Sequence, residues 1–472
     1  FDSFNNRRWD MYRTASDYLL KWKNRKRRKP LVIRGARQVG KSYLVSMFAE
    51  QNFSDFIEVN FERNPEMKSL FTGTPEKIIK LLELKYNKKI DIENTLLFLD
   101  EIQAAPEVFA KLRYFYEEVP ELHIIAAGSL LEFLLENHTF SMPVGRIEYL
   151  HLGPMTFEEF LTANNNTMLV DFIQNFSLSE DVLEPVHSDL ISLFKAFLII
   201  GGMPEAVSAF VETKSYHESE IVKESILGTY EDDFNKYSSR VNHGRILNVF
   251  KKLPLMVGEK FKYVNVDKNE RAKDIAKALH MLEMARIVFL IKHSACNGVP
   301  LGSQVNEKKF KITFLDVGLM VSACGMSMLD IENADDVMMV NSGGLCEQFV
   351  GQHLLYLNEY YKKPELYYWV REAKSSSAEV DYVISSGTEI IPVEVKAGKT
   401  GRLKSLHQFV KEKGVDLSVR INLAKPSVFQ ESIRVPGGQS VEFNLLSIPF
   451  YLVGQIRRLA QEERVKIPLR QQ

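Results

Sequence analysis

Between a short run of branched apolar residues, Leu31, Val32 and Ile33, and an amphipathic stretch from Tyr43 to Glu50 lies the octet Gly35-Ala36-Arg37-Gln38-Val39-Gly40-Lys41-Ser42. No other stretch of the chain restricts its fold as strongly. The glycines let the backbone turn its N–H groups to one side, and a helix starting just after them adds positive dipole charge at the same point. Strand, loop and helix together therefore make a cradle for phosphates. Lys41 is spaced to reach the β and γ phosphates of ATP, and the Ser42 hydroxyl is spaced to ligate Mg²⁺. The expected fold around this loop is α/β with a parallel sheet, a P-loop NTPase domain.

A second run, "TLLFLDEIQ" (95–103), reads as a buried strand that delivers Asp100 and Glu101 at its C-terminal end, the edge at which such sheets bind nucleotide. The expected roles are Mg²⁺ retention for Asp100 and polarisation of the attacking water for Glu101. A third run, "LHIIAAGS" (122–129), ends in Ser129, whose hydroxyl is suited to hold the same water or the γ phosphate. "SDFIEVNFER" (54–63) supplies a further strand. Arg146, just before another strand, suits the transition-state charge on the γ phosphate, in its own subunit or a neighbour's; an ordinary surface arginine is the competing reading.

At 472 residues the chain is too long for one hydrophobic core, and the length suggests about three domains. A formal net charge of -1 gives no global field toward DNA or an anionic membrane, so any nucleic-acid surface must be local. The longest apolar stretch, 193–210, carries Lys195, Glu205, two glycines and a proline, and no transmembrane segment or signal peptide is read. Cys296, Cys324 and Cys346 are isolated, without the spacing of a zinc site or a disulfide framework, which fits a reducing cytoplasm. The densest basic run, "KWKNRKRRKP" (21–30), is either a solvated leader into the first strand or an anion contact.

Beyond residue 210 the pattern turns helical, and "DKNERAKDIAKALHMLEMARIVFLIKHS" followed by "KKFKITFLD" reads as a helix and two strands, the order of a winged helix. Arg271, Lys273 and Lys277 then lie on one helix face, as a phosphate contact or as a solvated surface. Near the other end "AEVDYVISSGTEIIPVEVKAGK" (378–399) reads as two strands joined by a tight turn. Period-two alternation puts Glu379 and Asp381 on one face of the first strand, and Glu394 and Lys396 on one face of the second. If the turn brings Asp381 beside Glu394, two carboxylates and a lysine converge as metal-dependent phosphodiester cleavage requires.

The stretches "VIRGARQVGKSYL", "LLFLDEIQ", "AAGSLLEFL", "VGRIEYLHLGPMTFEEFL", "GGMPEAV" and "TFLDVGLM" together resemble the prokaryotic AAA-type ATPases that carry a C-terminal domain of unknown function with a PD-(D/E)XK nuclease-like core. The resemblance extends from about residue 28 to about residue 425. It implies a basic leader at 1–27, an AAA-type ATPase domain at 28–210, a helical and winged-helix domain at 211–325 and a nuclease-like domain at 326–472. It also adds Glu347, in the place of the acidic residue on the nuclease core's first helix. Glu347, Asp381 and Glu394 would then hold Mg²⁺ or Mn²⁺, with Lys396 orienting water. The resulting expectation is a Mg²⁺-dependent ATPase that couples ATP hydrolysis to DNA binding, remodelling or translocation, with a C-terminal domain that holds or cuts DNA with a divalent metal, as a homo-oligomer in which a ring is one arrangement. The alternative is a nucleotide-controlled switch that binds a protein partner and carries a catalytically silent C-terminal domain.

Overall fold

A computed structural model describes residues 11–137, 142–237, 241–326, 343–371, 378–396, 403–434 and 440–466. Residues 1–10 of the expected leader lie outside them. The remainder of that leader forms helix α1 (Ala15–Lys23), which buries Ala15, Leu19 and Trp22.

Five parallel strands follow: β1 (Leu31–Arg34), β2 (Asp55–Asn60), β3 (Thr95–Asp100), β4 (His123–Gly128) and β5 (Glu148–His151), in the order β2-β3-β4-β1-β5. β3 and β4 are buried along their whole length, as strands covered on both faces must be. Helices α2 (Lys41–Asn52), α3 (Pro75–Tyr86), α4 (Pro106–Glu118) and α5 (Leu131–Asn137) connect them. Ile78, Ile79 and Leu82 of α3 and Val108, Phe109, Leu112 and Phe115 of α4 form the apolar stripes that cover one sheet face, while Leu44, Val45 and Phe48 of α2 pack on the other. This is the P-loop NTPase fold with a five-stranded parallel sheet.

A helical segment comes next: α6 (Phe157–Ala163), α7 (Thr167–Asn175), α8 (Glu184–Ile200), α9 (Pro204–Thr213), α10 (Tyr216–Asp233), α11 (His243–Lys252), α12 (Tyr263–Val266) and α13 (Ala272–Met284). It leads into an antiparallel ribbon of β6 (Val288–Ser294) and β7 (Val305–Phe314), then α14 (Val317–Ala323) and α15 (Gly344–Leu355). The ribbon does not stand alone as a wing. Lys292 and His293 of β6 pair in parallel with Tyr367 and Tyr368 of β8 (Tyr367–Val370), so one sheet spans residues on both sides of position 325.

That sheet has eight strands in the order β12-β13-β11-β10-β9-β8-β6-β7, completed by β9 (Glu379–Ser386), β10 (Glu389–Val395), β11 (Leu417–Asn422), β12 (Ser427–Arg434) and β13 (Ser440–Pro449). Helices α16 (Lys404–Lys413) and α17 (Ile456–Lys466) accompany it. β9 and β10 form a hairpin closed by a two-residue loop between the paired Ser386 and Glu389. No helix among the described residues is long and apolar enough to cross a membrane.

Candidate nucleotide site and acid cluster

Gly35 and Gly40 hold the loop between β1 and α2 for different reasons. A side chain at Gly35 would run into the Leu152 carbonyl, and Gly40 caps α2 with φ 88°, in the left-handed region. Lys41 opens the helix, nearly sealed from solvent, and its Nζ donates to the carbonyls of Gly35 (3.1 Å) and Ala36 (2.7 Å). Burial pulls the Lys41 ammonium down to about 8, against the opposing pull of Glu101 and Asp100.

The Ser42 hydroxyl donates to Asp100 Oδ2 at 3.0 Å, and Asn60 Nδ2 reaches the same oxygen at 3.1 Å. Burial, reinforced by Glu101, pushes the Asp100 carboxyl up to about 6, the mark of a carboxylate short of positive charge. A hydroxyl and a carboxylate meeting at that distance are hard oxygen donors of the kind Mg²⁺ takes, so the residues fit that ion. Glu101 has φ 49°, an uncommon conformation for a side chain of its size, and shares its carboxylate with Gln103 Nε2 and, at 3.5 Å, with Ser129 Oγ. β4 lies between β1 and β3, so Ser129 stands between the phosphate loop and Glu101 at one sheet edge.

The loop is braced from segments far along the chain. Arg37 reaches Ser129 Oγ (3.3 Å) and Asp233 of α10 (2.7 Å), while Tyr230 Oη donates to the Arg37 carbonyl (2.9 Å). Gln38 takes φ 61°, and the Val39 carbonyl accepts from Arg13 Nη1 at 2.9 Å. Arg13 is buried, and also bonds Glu159 (3.0 Å) and the Gly153 carbonyl (2.8 Å). The sequence carried no sign of this clamp, because a lone arginine in a polar leader looks like any other.

Arg146 is elsewhere. It precedes the N-terminal end of β5, the sheet edge opposite the phosphate loop, and pairs with Glu117 at 2.8 Å. The expected contact with its own subunit's γ phosphate is thereby overturned: in a parallel sheet the start of one strand is a strand length away from the ends that carry the loop.

In the second sheet the β9–β10 register pairs Tyr382 with Val393, which sets Asp381 beside Glu394, and Asp381 Oδ2 accepts the Val395 N–H at 2.8 Å. Tyr382 Oη donates to the Glu347 carbonyl (2.7 Å), drawing α15 onto the hairpin. Glu347, Asp381, Glu394 and Lys396 thus do gather, with Lys396 bonded to Glu394.

At their centre, however, is a lysine from the ribbon. Lys311 of β7, almost wholly buried, places its Nζ 2.8 Å from Glu347, 3.0 Å from Glu379 and 3.7 Å from Asp381. Burial disfavours its charge, but Glu347, Asp381 and Glu379 more than reverse this and hold it protonated well above the ordinary lysine range. Burial pushes Glu347 up to about 7 and, with help from Asp381, Glu394 up to about 8.

Among the described residues no group of three or more His, Cys, Asp or Glu side chains is arranged to hold a metal ion. The expected Mg²⁺ or Mn²⁺ position at Glu347, Asp381 and Glu394 does not fit the ion, because the Lys311 ammonium already lies against Glu347 and Asp381 and the Lys396 ammonium against Glu394. In the sequence "KKFKITFLD" reads only as a strand; the tertiary fold aims its Lys311 at the acids.

Residues 27–161 match the family model described as an AAA domain, residues 191–330 match one described as Domain of unknown function (DUF8612), and residues 342–443 match one described as Domain of unknown function (DUF4143). A comparison with curated proteins gave no significant match. Among solved structures the chain is similar to a Walker-type ATPase of Pyrococcus abyssi, with 16% identity over 67% of this chain and 97% of that one and a TM-score of 0.43. It is also similar to the Aeropyrum pernix ORC2 protein in ADPNP-ADP complexes, with 14% identity over 66% and 93% and a TM-score of 0.34. A third is a signal transduction ATPase with numerous domains from Pyrococcus horikoshii, with 11% identity over 75% and 48% and a TM-score of 0.25. Likeness at this level carries no argument, and the family match over residues 27–161 stands on its own. The chain therefore contains an AAA-type ATPase domain of the P-loop class.

Proposed function

We propose that the chain is a Mg²⁺-dependent ATP hydrolase that acts on DNA and holds it without cutting it. The observation that carries the hydrolase reading is the 3.0 Å contact between Ser42 and Asp100 beside the sealed Lys41. In this reading the N–H groups of residues 35–42 and the Lys41 ammonium bind the phosphates, and Ser42 and Asp100 hold the Mg²⁺. The ion supplies charge neutralisation on the phosphates when bound. Glu101 takes the proton of the attacking water, and Ser129, within reach of the Glu101 carboxylate, keeps that water in line. Glu101→Gln tests it: hydrolysis falls at least 100-fold while nucleotide binding persists, and unchanged turnover removes Glu101 from this role.

The DNA half of the reading is supported by Arg271, Lys273 and Lys277, all exposed around the start of α13. Its test is steady-state ATP turnover with single-stranded, duplex and forked DNA at two salt concentrations, since phosphate contacts weaken steeply with salt. Stimulation that Lys273→Ala with Lys277→Ala removes supports it. DNA-indifferent turnover shifts the conclusion to the switch ATPase with a protein partner, the reading that a lysine-filled acid cluster also favours. A homo-oligomer belongs to the proposal by analogy with AAA-type ATPases, in which an arginine of one copy completes the next copy's site; Arg146, exposed and paired with Glu117, is either that arginine or an ordinary surface residue.

A further inference from the structure

We propose that Lys311 is the built-in cation of the C-terminal acid cluster, standing where a divalent metal would otherwise bind, and that the cluster becomes a Mn²⁺ or Mg²⁺ site when the lysine's charge is removed. The inference rests on reading Glu347, Asp381 and Glu394 as one cluster. It concerns what fills that cluster, and it is independent of ATP hydrolysis.

Three observations carry it. Lys311 Nζ lies within 4 Å of three carboxylates contributed by α15 and β9: Glu347 at 2.8 Å, Glu379 at 3.0 Å and Asp381 at 3.7 Å. One ammonium with three donors is thus the hub of a multidentate acid set, an arrangement the chain otherwise has no need to build in its interior.

The second observation concerns Glu394, only 4% exposed, whose Oε2 is buried without a hydrogen-bond partner among the described residues. Its other oxygen takes the Lys396 ammonium. A buried carboxylate oxygen with nothing to accept from is costly to maintain, and in this cluster it lies beside Asp381 through the β9–β10 register. It is the one acid of the set that Lys311 does not reach, and its ammonium partner is Lys396 instead.

Third, charge balance favours exchange over addition. Glu347, Glu379, Asp381 and Glu394 face Lys311 and Lys396, with Lys260 4.0 Å from Glu379. Adding a divalent ion to this set brings it against a fixed ammonium at contact distance, whereas replacing Lys311 by a neutral side chain leaves one oxygen of each of three carboxylates without its cation. Oxygen donors of that number and charge suit Mg²⁺ and Mn²⁺.

The test is titration of the nucleotide-free full-length chain with Mn²⁺ alone, followed by the electron paramagnetic resonance signal of the free ion and by melting temperature. Four chains are compared: the parent, Asp381→Asn, Lys311→Met and Lys311→Met with Asp381→Asn. Any weak binding at Ser42 and Asp100 is common to all four and cancels. Lys311→Met is expected to gain a site at least tenfold tighter than anything in the parent, lost again with Asp381→Asn, and to melt higher as Mn²⁺ is added.

A parent chain that already has an Mn²⁺ site sensitive to Asp381→Asn overturns the role of Lys311 while leaving the cluster reading intact. A folded Lys311→Met chain that gains no site overturns the cluster reading. A Lys311→Met chain that stays unfolded even with Mn²⁺ present overturns the proposal too, because an ion that replaces the ammonium must also restore its stabilisation. ATP turnover in each chain, expected to be unchanged, separates these outcomes from a failure of the hydrolase reading.

Discussion

Arg13 joins three parts of the molecule through one side chain. Its guanidinium meets Glu159, the phosphate loop at Val39 and the carbonyl of Gly153 just past β5, all out of contact with water. A planar fork of five donors serves these directions together in a way that a lysine's single ammonium cannot. Arg13→Ala leaves Glu159 buried without its cation, a loss of roughly 3 kcal/mol or more. Urea unfolding should show that loss, nucleotide titration should show weaker binding because the loop loses its brace, and Arg13→Lys should recover little of either. Equal affinity in the Arg13→Ala chain would confine the clamp to stability. The phosphate-loop motif itself, in contrast, was plain in the sequence, since its function depends on local backbone geometry that eight consecutive residues specify.

At the level of elements, the stretches "GGMPEAV" and "TFLDVGLM" meet at Asp316. This buried carboxylate caps α14 by accepting the Leu319 N–H (3.1 Å), and it accepts the Gly202 N–H (2.7 Å) and Gln352 Nε2 (3.1 Å). Gln348, one turn earlier on α15, exchanges two bonds with the backbone of Phe314. Met155 N donates to the Gly202 carbonyl, which ties the junction to the loop after β5 of the phosphate loop's own sheet. Burial raises the Asp316 carboxyl, opposed by these donors. Removing the acceptor strands at least two buried N–H groups, each worth about 1–3 kcal/mol. Asp316→Ala should therefore lower the unfolding free energy by roughly 2–5 kcal/mol, while Asp316→Asn, which keeps one acceptor oxygen, should lose less; equal losses would mean that the retained oxygen contributes nothing. The sequence marked these motifs as distinctive without disclosing their job, because the partners of Gly202 and Asp316 are more than a hundred residues apart.

Across the whole molecule, the buried His123, His151 and His353 make the fold weaker in acid. Burial pulls His123 down to about 4, His353 to about 4 and His151 to about 3, with Arg28 adding to the first and Arg286 to the last. His353 links α15 to α6: its Nε2 accepts the Phe157 N–H at 3.0 Å and its Nδ1 donates to the Phe349 carbonyl, and that carbonyl and the Glu159 charge favour protonation without offsetting burial. These groups are neutral in the folded chain and take protons near 6.5 when it unfolds, so the stability they contribute is present above that pH and is lost as pH falls toward 4. His353→Gln should flatten the pH dependence of unfolding between pH 6 and 4.5 by about 1 kcal/mol per pH unit relative to the parent. Comparing the two chains removes the opposing effect of carboxyls such as Glu158, whose raised titration acts in the other direction. Parallel profiles would show that His353 is charged or exposed in solution.

The sequence alone determined the phosphate loop, the acids at the end of β3, the burial of β3, and the strand alternation that puts Asp381 and Glu394 on defined faces. All of these follow from short-range geometry, the two-residue period of a strand and the turn conformations open to glycine. Only the tertiary structure decided that Arg146 points away from its own nucleotide, that Arg13 grips the loop, that the β6–β7 ribbon joins the C-terminal sheet, and that Lys311 fills the acid cluster. Each of these depends on which distant segments pack together, and a buried charge acquires its meaning from partners that neither periodicity nor spacing along the chain can name.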